Sequence, residues 1–184
     1  MITIKSKEEI ELMRKAGYLV SLTHQYLKPF IKSGITTKEL DTLAERFIKE
    51  HDGIPTCKGY EGYPATLCVS VNDEVVHGIP GKRKLKNGDI VSIDMVIGYH
   101  GYQGDAAWTY AVGDISEDKK YLMEHTEKAL YEGIKQVKPG NHIGDISHAV
   151  ETYATKYNLG VVKELVGHGI GTEMHEDPDV PNYG

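Results

Sequence analysis

Two aspartates, Asp94 and Asp105, lie in a segment whose residue pattern predicts a β-hairpin, and their spacing allows joint chemistry. Two β-rich runs flank a glycine-bounded turn. With the turn centred between Tyr99 and His100, the register predicts that the two aspartates are direct cross-strand neighbours, roughly 5 Å apart at Cβ. Two bare like charges at that distance repel each other. Either one carboxyl carries a proton or a cation lies between them.

The alternation of side chains along the two strands predicts which face the aspartates share. One face is apolar and predicts a core, whereas the opposite face is mostly polar or small and carries both aspartates. A slip of one residue would put one carboxylate on the core face, so the alternation specifies the register. The predicted core face comprises Val91, Ile93, Met95, Ile97, Ala106, Trp108, Tyr110 and Val112.

Three histidines are candidates for metal ligands or substrate contacts. His168 lies between two glycines after a β-like run, His77 precedes a glycine at the end of a predicted strand, and His175 follows His168 by seven residues. A neighbouring glycine lets the backbone approach a ligand closely. An imidazole beside two carboxylates makes a mixed nitrogen and oxygen site suited to Zn, Fe, Mn or Co. The other histidines are interpreted as surface or hydrogen-bonded residues.

Bulk composition argues against several classes of protein. The 184 residues suffice for one domain with a sizeable core. A formal net charge of -6 and a single short basic cluster at 82–86 give nucleic-acid binding little electrostatic support. No apolar run approaches a membrane span, and the N-terminus leads into a helix signal rather than a signal peptide. Cys57 and Cys68 form no C-x-x-C motif, so we expect a cytoplasmic protein with free thiols.

Capping signals predict four helices, with a strand-rich and turn-rich stretch at 54–113 between the second and the third. Within that stretch, Asn72-Asp73 is predicted to turn a hairpin between strands at 68–71 and 75–77. The predicted helices run from the Ser6–Glu9 capping box to Pro29, from the Thr36–Glu39 box to Gly53, from Asp114 or Ser116 to before Pro139, and roughly from Asp145 to Tyr157.

The order of these elements repeats at an offset of 106 residues, which carries Leu40 onto Ile146. Each half begins with a long helix, a glycine turn and a shorter helix, and this order predicts a duplication within one domain of residues 1–184. The first half is about 1–113 and the partial second half about 114–184. The counterpart of Asp94 would fall beyond residue 184, so we expect the second half to be incomplete.

Five short motifs occur in one order and at one spacing along the chain: YEGYP at 60–64, VVHGIP at 75–80, SID at 92–94, GD at 104–105 and GHGIG at 167–171. At these motifs the chain resembles the type I methionine aminopeptidases, metallopeptidases with the pita-bread fold. The resemblance covers all 184 residues. It implies an α+β pita-bread fold with pseudo-two-fold duplicated halves, the second incomplete.

The resemblance implies roles residue by residue. Asp94, Asp105 and His168 match metal ligands, with Asp105 bridging two divalent ions (Co, Mn, Fe or Zn). His77 and His175 match histidines that contact the substrate and stabilise the reacting peptide group. The residues that match the methionine pocket are Tyr60, Tyr63 and Cys68, with Cys57 as a further candidate.

The chain departs from the family pattern at Glu61, where the family has a histidine, and at Met174, where it has a phenylalanine. The family also uses two glutamate ligands that the 184 residues lack. In the intact enzyme the resemblance implies removal of the N-terminal methionine from nascent proteins by two-metal hydrolysis. For the 184-residue chain we expect weak metal binding, weak or absent activity, and self-association through an exposed sheet edge.

Two other functions are weighed against this one. A metallopeptidase of the same fold that cleaves Xaa-Pro bonds is the first, and compactness favours the aminopeptidase over it. A non-catalytic peptide-binding module is the second, and the presence of Asp94, Asp105 and His168 together argues against it. A soluble α+β domain with incidental acids is the simplest reading. The expected partners are the N-terminal methionines of peptides and nascent proteins, with no nucleic acid and no membrane.

Overall fold

The computed structural model describes residues 1–184 and contains four α-helices, two short 3-10 helices and six strands. None of the helices combines the length and the apolar composition needed to cross a bilayer. The α-helices are α1 (Lys7–Leu27), α2 (Thr37–Glu50), α3 (Glu117–Ile134) and α4 (Ile143–Lys156). The strands are β1 (Ile54–Pro55), β2 (Cys68–Val71), β3 (Ile90–Tyr99), β4 (Tyr102–Ala111), β5 (Gly167–Gly169) and β6 (Glu176–Val180).

The chain divides into two compact units. The first unit comprises Ile4–Ile115 with Ile170–Met174, and the second comprises Met1–Thr3, Ser116–Gly169 and His175–Gly184. In the second unit α3 packs on α4, and β5 pairs with β6 in an antiparallel ribbon. The predicted boundary between halves at about residue 113 stays a prediction.

Capping chemistry begins the helices where the sequence predicts them. Ser6 and Thr36 each accept a hydrogen bond from the backbone of the glutamate three residues later, and each glutamate bonds back to the capping residue. Of the two candidates for the third helix, Ser116 is the cap, because its hydroxyl accepts from the Lys119 backbone. Helix α4 begins at Ile143, two residues before the predicted start.

The first unit is built on a four-stranded sheet in which β3 is central. Strand β3 pairs antiparallel with β1 and β2 along one edge and with β4 along the other. Helix α1 packs on β3, β4 and α2. The core between helices and sheet contains the fully buried β3 side chains Val91, Ile93, Met95 and Ile97.

The turn of the β3–β4 hairpin corrects the predicted register. Tyr99 pairs with Tyr102, so the turn is His100-Gly101 rather than one centred between Tyr99 and His100. Both turn residues have positive φ, 48° for His100 and 88° for Gly101. Two positive φ angles in a two-residue loop match the twist of the flanking strands. The pairing partners therefore shift by two residues relative to the prediction.

The shift by two residues preserves the faces of the hairpin. Asp94 lies opposite Ala107, and Asp105 lies opposite Val96. Because side chains alternate with a period of two, both aspartates still share one face, as predicted. They are diagonal neighbours, however, and the prediction that they are directly opposite was wrong.

The predicted core face is buried on β3 but not on β4. Trp108 pairs with Ile93 on that face, yet it is 39% exposed. Strand β4 has a single partner strand and so lies at the edge of the sheet, which leaves its central side chains less covered. Val112 is fully buried, but it lies beyond the end of β4.

The predicted strand at 75–77 is absent. Asn72-Asp73 does form a turn after β2, but the chain then runs without strand structure to His77. His77 has a φ of 58°, which is incompatible with an extended strand. The returning segment makes one ladder-like contact, because the Val69 N–H donates to the Gly78 carbonyl at 2.8 Å.

The predicted duplication is visible in the helices. Helices α2 and α4 each span 14 residues, and α4 begins and ends 106 positions after α2. At the start of each, a carboxylate three residues along accepts from the capping backbone N–H at 2.7 Å, Glu39 from Thr36 and Asp145 from His142. Positive φ angles recur at the same offset in Gly34 and Gly140 and in Asp52 and Asn158.

Candidate metal centre and substrate pocket

Asp94 and Asp105 are diagonal neighbours on the polar face of the hairpin, and the Asp105 side chain lies close enough to act on the pKa of Asp94. Asp94 is half-buried and Asp105 is exposed. Burial raises the pKa of Asp94, while the charges of His77 and His24 and hydrogen bonds from the Met95 N–H and from Asp105 act in the opposite direction. Two carboxyls in contact share a proton unless a cation takes its place.

This carboxylate pair fits a divalent cation, because carboxylate oxygens bind such ions and the pair concentrates negative charge. The structure contains no group of three or more His, Cys, Asp or Glu side chains that could hold a metal ion. The structure therefore brings together two of the three predicted ligands, Asp94 and Asp105, and their role as metal ligands stays a prediction. The third predicted ligand, His168, belongs to the second unit.

His168 lies in strand β5, and its Nδ1 is 2.8 Å from the Gly169 carbonyl oxygen. When Nδ1 donates to that carbonyl, the Nε2 lone pair is the one that can bind a metal or a proton. The ring of His175 lies 4.3 Å from the His168 ring at an angle of 57°. The structure thus pairs these two predicted site histidines with each other.

His77 lies near the aspartates on the first unit, since its charge acts on Asp94. Its side chain is exposed. The positive φ turns the backbone sharply at this residue, which directs the segment after β2 back across Val69 and Ser70. The charge of His77 acts on the pKa of Asp94, and the predicted role of His77 in contacting the substrate stays a prediction.

A small apolar cluster lies in the first unit next to the carboxylates. Cys57, Val96 and Met174 are buried in it, and Tyr63 and Ile170 pack against them. Val96 is the cross-strand partner of Asp105, which places the cluster beside the hairpin. Met174, one of the two departures from the family pattern, is 7% exposed and supplies apolar surface.

Cys57 and Cys68 lie within hydrogen-bonding reach of each other, and Cys68 also bonds with the Tyr63 side chain. Both cysteines are buried and neither forms a disulfide. The hydrogen bond to Cys68, together with burial, raises the pKa of Cys57 and keeps that thiol protonated. Burial also raises the pKa of Tyr63.

The single proton of the Tyr63 hydroxyl is shared between two carbonyl oxygens, that of Leu67 at 3.0 Å and that of Gly78 at 3.1 Å. These bonds tie the pocket segment to the chain next to His77. Tyr60, by contrast, is 38% exposed and is not among the side chains packed in the apolar cluster. Of the predicted pocket residues, the structure therefore brings together Tyr63, Cys57 and Cys68.

Two further residues lie near this site, of which Asp41 was not predicted and His24 was predicted only as a surface or hydrogen-bonded histidine. Asp41 on α2 is fully buried and accepts hydrogen bonds from the backbone beside the pocket. His24 on α1 is hydrogen-bonded through Nδ1 to the Tyr110 hydroxyl at 3.0 Å. The charge of His24 acts to lower the pKa of Asp94. For Asp41 a signal was present, because it occupies a buried position on the helix beside Leu40 and Ala44.

Known proteins resemble this chain over most or all of its length. The model of metallopeptidase family M24 matches residues 11–184. The chain is 55% identical over 184 residues to Methionine aminopeptidase 1 of Bacillus subtilis, covering 100% of this chain and 74% of that relative. The crystal structure of methionine aminopeptidase from Rickettsia prowazekii superposes with a TM-score of 0.98 at 41% identity, covering 100% of this chain and 74% of that one.

Proteins of much lower sequence identity also share the pita-bread fold. A Xaa-Pro dipeptidase from Bacillus anthracis superposes with a TM-score of 0.81 at 24% identity, covering 97% of this chain and 49% of that one. At that identity the likeness shows the fold alone. The α+β fold and the duplicated halves predicted from the sequence are confirmed, and 184 residues span 74% of the methionine aminopeptidases compared.

Proposed function

This chain belongs to metallopeptidase family M24, and from that membership we propose that it serves to remove N-terminal methionine from peptides and nascent proteins. The reaction is hydrolysis of the first peptide bond. The observation that carries the proposal is the placement of Asp94 and Asp105 side by side on one face of the hairpin, in a chain 55% identical to a methionine aminopeptidase.

Asp94, Asp105 and His168 are the proposed metal ligands, and the proposed metals are two divalent ions drawn from Co, Mn, Fe and Zn. When bound, such ions supply a nucleophile by acidifying water and polarise the scissile carbonyl. The two aspartates hold negative charge beside the apolar cluster. The proposed contribution of His168 is its Nε2 lone pair, which the bond from Nδ1 to Gly169 leaves as the metal-binding nitrogen.

The proposed substrate contacts separate into polar and apolar groups. His77, beside Asp94, is placed to donate a hydrogen bond to the reacting peptide group, and His175 is assigned the developing negative charge on the carbonyl oxygen. Tyr63, Cys57 and Cys68 form the wall proposed to accept the methionine side chain, with Tyr60 at its exposed margin. An apolar wall with sulfur and aromatic atoms suits a thioether, because such contacts are favourable.

The free thiols of Cys57 and Cys68 support the cytoplasm as the place of action, since thiols persist in reducing compartments. Self-association of the 184-residue chain remains a prediction. Sedimentation velocity tests it, and a clean monomer at high concentration would count against it.

The test of the proposed function is methionine release from the peptide Met-Ala-Ser by the 184-residue chain with added Mn²⁺ or Co²⁺. We expect release that is slow or absent in the 184-residue chain, and any metal-dependent release should disappear in Asp94→Asn and Asp105→Asn, which keep side-chain size and remove charge. An Ala-Pro peptide should not be cleaved. Release that is equal in the wild-type chain and in both variants would refute the assignment.

Metal binding is measured separately by titration calorimetry. We expect weak binding of Mn²⁺ by the wild-type chain and none that is measurable by Asp94→Asn. Tight binding of two ions per chain would contradict the expectation of a weak site in these 184 residues.

A further inference from the structure

Asp41 is a buried carboxylate outside the candidate metal centre. It lies on α2 and is fully buried. Its Oδ1 accepts hydrogen bonds from the backbone N–H groups of Thr66 at 2.8 Å and Leu67 at 2.9 Å. Its Oδ2 accepts from Lys38 Nζ at 2.7 Å. A charged group at a fully buried position is costly unless its oxygens are bonded, and here both are.

The two backbone groups held by Asp41 belong to the segment that forms the apolar wall. Leu67 immediately precedes Cys68, and its carbonyl accepts from the Tyr63 hydroxyl at 3.0 Å. The residues 64–67 form neither helix nor strand, so no helix or sheet hydrogen bonds order them. The Asp41 carboxylate supplies the order that regular structure would otherwise supply.

Helix α2 also holds the chain on the other side of the apolar wall, outside the segment 64–67. Glu45, one turn after Asp41, accepts from Lys58 Nζ at 2.9 Å through Oε1 and at 2.8 Å through Oε2. Lys58 directly follows Cys57. Both cysteines of the apolar wall are therefore adjacent in sequence to a residue bonded by an α2 carboxylate.

We propose that Asp41 is a positioning residue that holds the segment 63–68 in the shape of the methionine pocket, through its bonds to the Thr66 and Leu67 amides. The link to methionine rests on the proposed function. The positioning role itself does not depend on methionine binding, because it refers only to the shape of the wall formed by Tyr63, Cys57 and Cys68.

The test uses the two thiols as reporters, because Cys57 and Cys68 are the only cysteines and both are buried. Iodoacetamide labels them in the folded 184-residue chain, and mass spectrometry gives the rates. The perturbing variant is Asp41→Ala. The matched control is Leu40→Ala, a fully buried neighbour on α2 whose loss destabilises by a cavity.

At conditions of equal unfolded fraction, we expect Asp41→Ala to label about tenfold faster than Leu40→Ala, because only the former opens the segment locally. Asp41→Asn keeps the carbonyl oxygen that accepts from both amides, and it should label at nearly the wild-type rate. Equal rates in Asp41→Ala and Leu40→Ala would overturn the proposal, because they would show a role in overall stability alone.

A second measurement covers the case in which Asp41→Ala does not fold. In the wild-type chain, the amide hydrogens of Thr66 and Leu67 should exchange slowly although they lie outside helices and strands. Fast exchange at both amides would overturn the proposal without any variant.

L-methionine with Mn²⁺ separates this inference from the proposed function. It should slow labelling in the wild-type chain and in Leu40→Ala, but not in Asp41→Ala. Protection in all three chains would overturn the positioning role. Absence of protection in the wild-type chain, combined with selective labelling of Asp41→Ala, would support the positioning role and refute the methionine pocket.

Discussion

Replacing Gly104 with alanine should drive strand β4 away from helix α1, because the two backbones meet at this residue. Gly104 is buried and pairs with Ile97 across the hairpin. A Cβ built on Gly104 would lie 2.5 Å from the Gly17 nitrogen and 2.6 Å from the Ala16 carbonyl carbon. Both neighbours are backbone atoms of a helix, and neither can rotate out of the way.

The size of the effect follows from that distance. Ordinary Cβ contacts begin at 3.4 Å, so the strand and the helix must separate by about 1 Å along this line. A separation of that size weakens the dispersion contacts on both sides, and overpacking of this kind costs about 1–3 kcal/mol. We take the upper end, about 3 kcal/mol, because only backbone movement relieves the clash.

Urea unfolding followed by the fluorescence of Trp108 measures this cost, because Trp108 is the only tryptophan and lies on β4. The matched control is Gly17→Ala, which adds the same methyl group to the helix side of the contact. A Cβ on Gly17 meets nothing within 4 Å. Alanine favours the helix over glycine by about 1 kcal/mol, so this control should be stabilising.

The two alanine variants should therefore move the unfolding midpoint in opposite directions. A Gly104→Ala chain as stable as the wild type would refute the close approach of β4 and α1. The same result would remove the reason for glycine immediately before Asp105. Destabilisation of equal size by Gly17→Ala would show that the cost arises from something other than the geometry of this contact.

Three further substitutions test other contacts by the free energy of unfolding. Glu45→Gln should cost about 1 kcal/mol at pH 7, because the Lys49 and Lys58 side chains that bond to Glu45 are partly exposed. Hydrogen bonds from Lys49 and Lys58 lower the pKa of Glu45 from 4.5 to about 2, so its contribution is complete above pH 4.5 and disappears as the pH falls towards 2. Thr66→Val should stabilise by about 1 kcal/mol, since the buried Thr66 hydroxyl has no hydrogen-bond partner. Gly101→Ala should destabilise by about 1 kcal/mol, because its φ of 88° strains a residue with a side chain.

Each of these substitutions has an outcome that contradicts its reasoning. For Glu45→Gln it is a cost that stays constant between pH 7 and pH 2. For Thr66→Val it is a loss of stability, which would show that the hydroxyl is hydrogen-bonded in solution. For Gly101→Ala it is unchanged stability, which would show that the hairpin turn tolerates a different backbone conformation.

The helices were predictable because their starting signals are local. A hydroxyl followed three residues later by a glutamate satisfies the free N–H groups of a helix start, whatever the rest of the chain does. Ser6 and Thr36 confirm this. The repeat at 106 residues was equally accessible, because backbone features such as the turn glycines Gly34 and Gly140 recur with it.

Backbone torsions limited the prediction of the strands. The predicted strand at 75–77 has ordinary β-forming residues, and only the positive φ of His77 interrupts it. Histidine is enriched at positive φ among residues with a side chain, but it adopts positive φ far less readily than glycine does. The hairpin register failed for the same reason, since His100 and not a glycine takes the first turn position. The predicted face of each aspartate was nevertheless correct, because a register shift of two residues leaves every side chain on the same face of the sheet.

The site was predictable where its residues lie close in sequence or match a family motif. Asp94 and Asp105 were found by alternation within one hairpin, and Tyr63 and Cys68 by resemblance. Asp41 lies 25 and 26 residues before Thr66 and Leu67, and its side chain bonds to their backbone groups. Backbone N–H groups are identical in every residue except proline, so the identities of Thr66 and Leu67 carry no signal for it.

The two-residue turn at His100-Gly101 has a consequence for the order in which the aspartates come together. Asp94 and Asp105 are close neighbours along the chain, so bringing them together closes only a short loop and costs little chain entropy. Hairpins form in about 1–10 μs. The spacing of the two carboxylates is therefore set by a local contact, the ladder of the β3–β4 hairpin, which the packing of α1 on both strands then stabilises. A divalent ion would meet a pair that is already assembled, and the affinity of the aspartates for it is not reduced by the cost of ordering them.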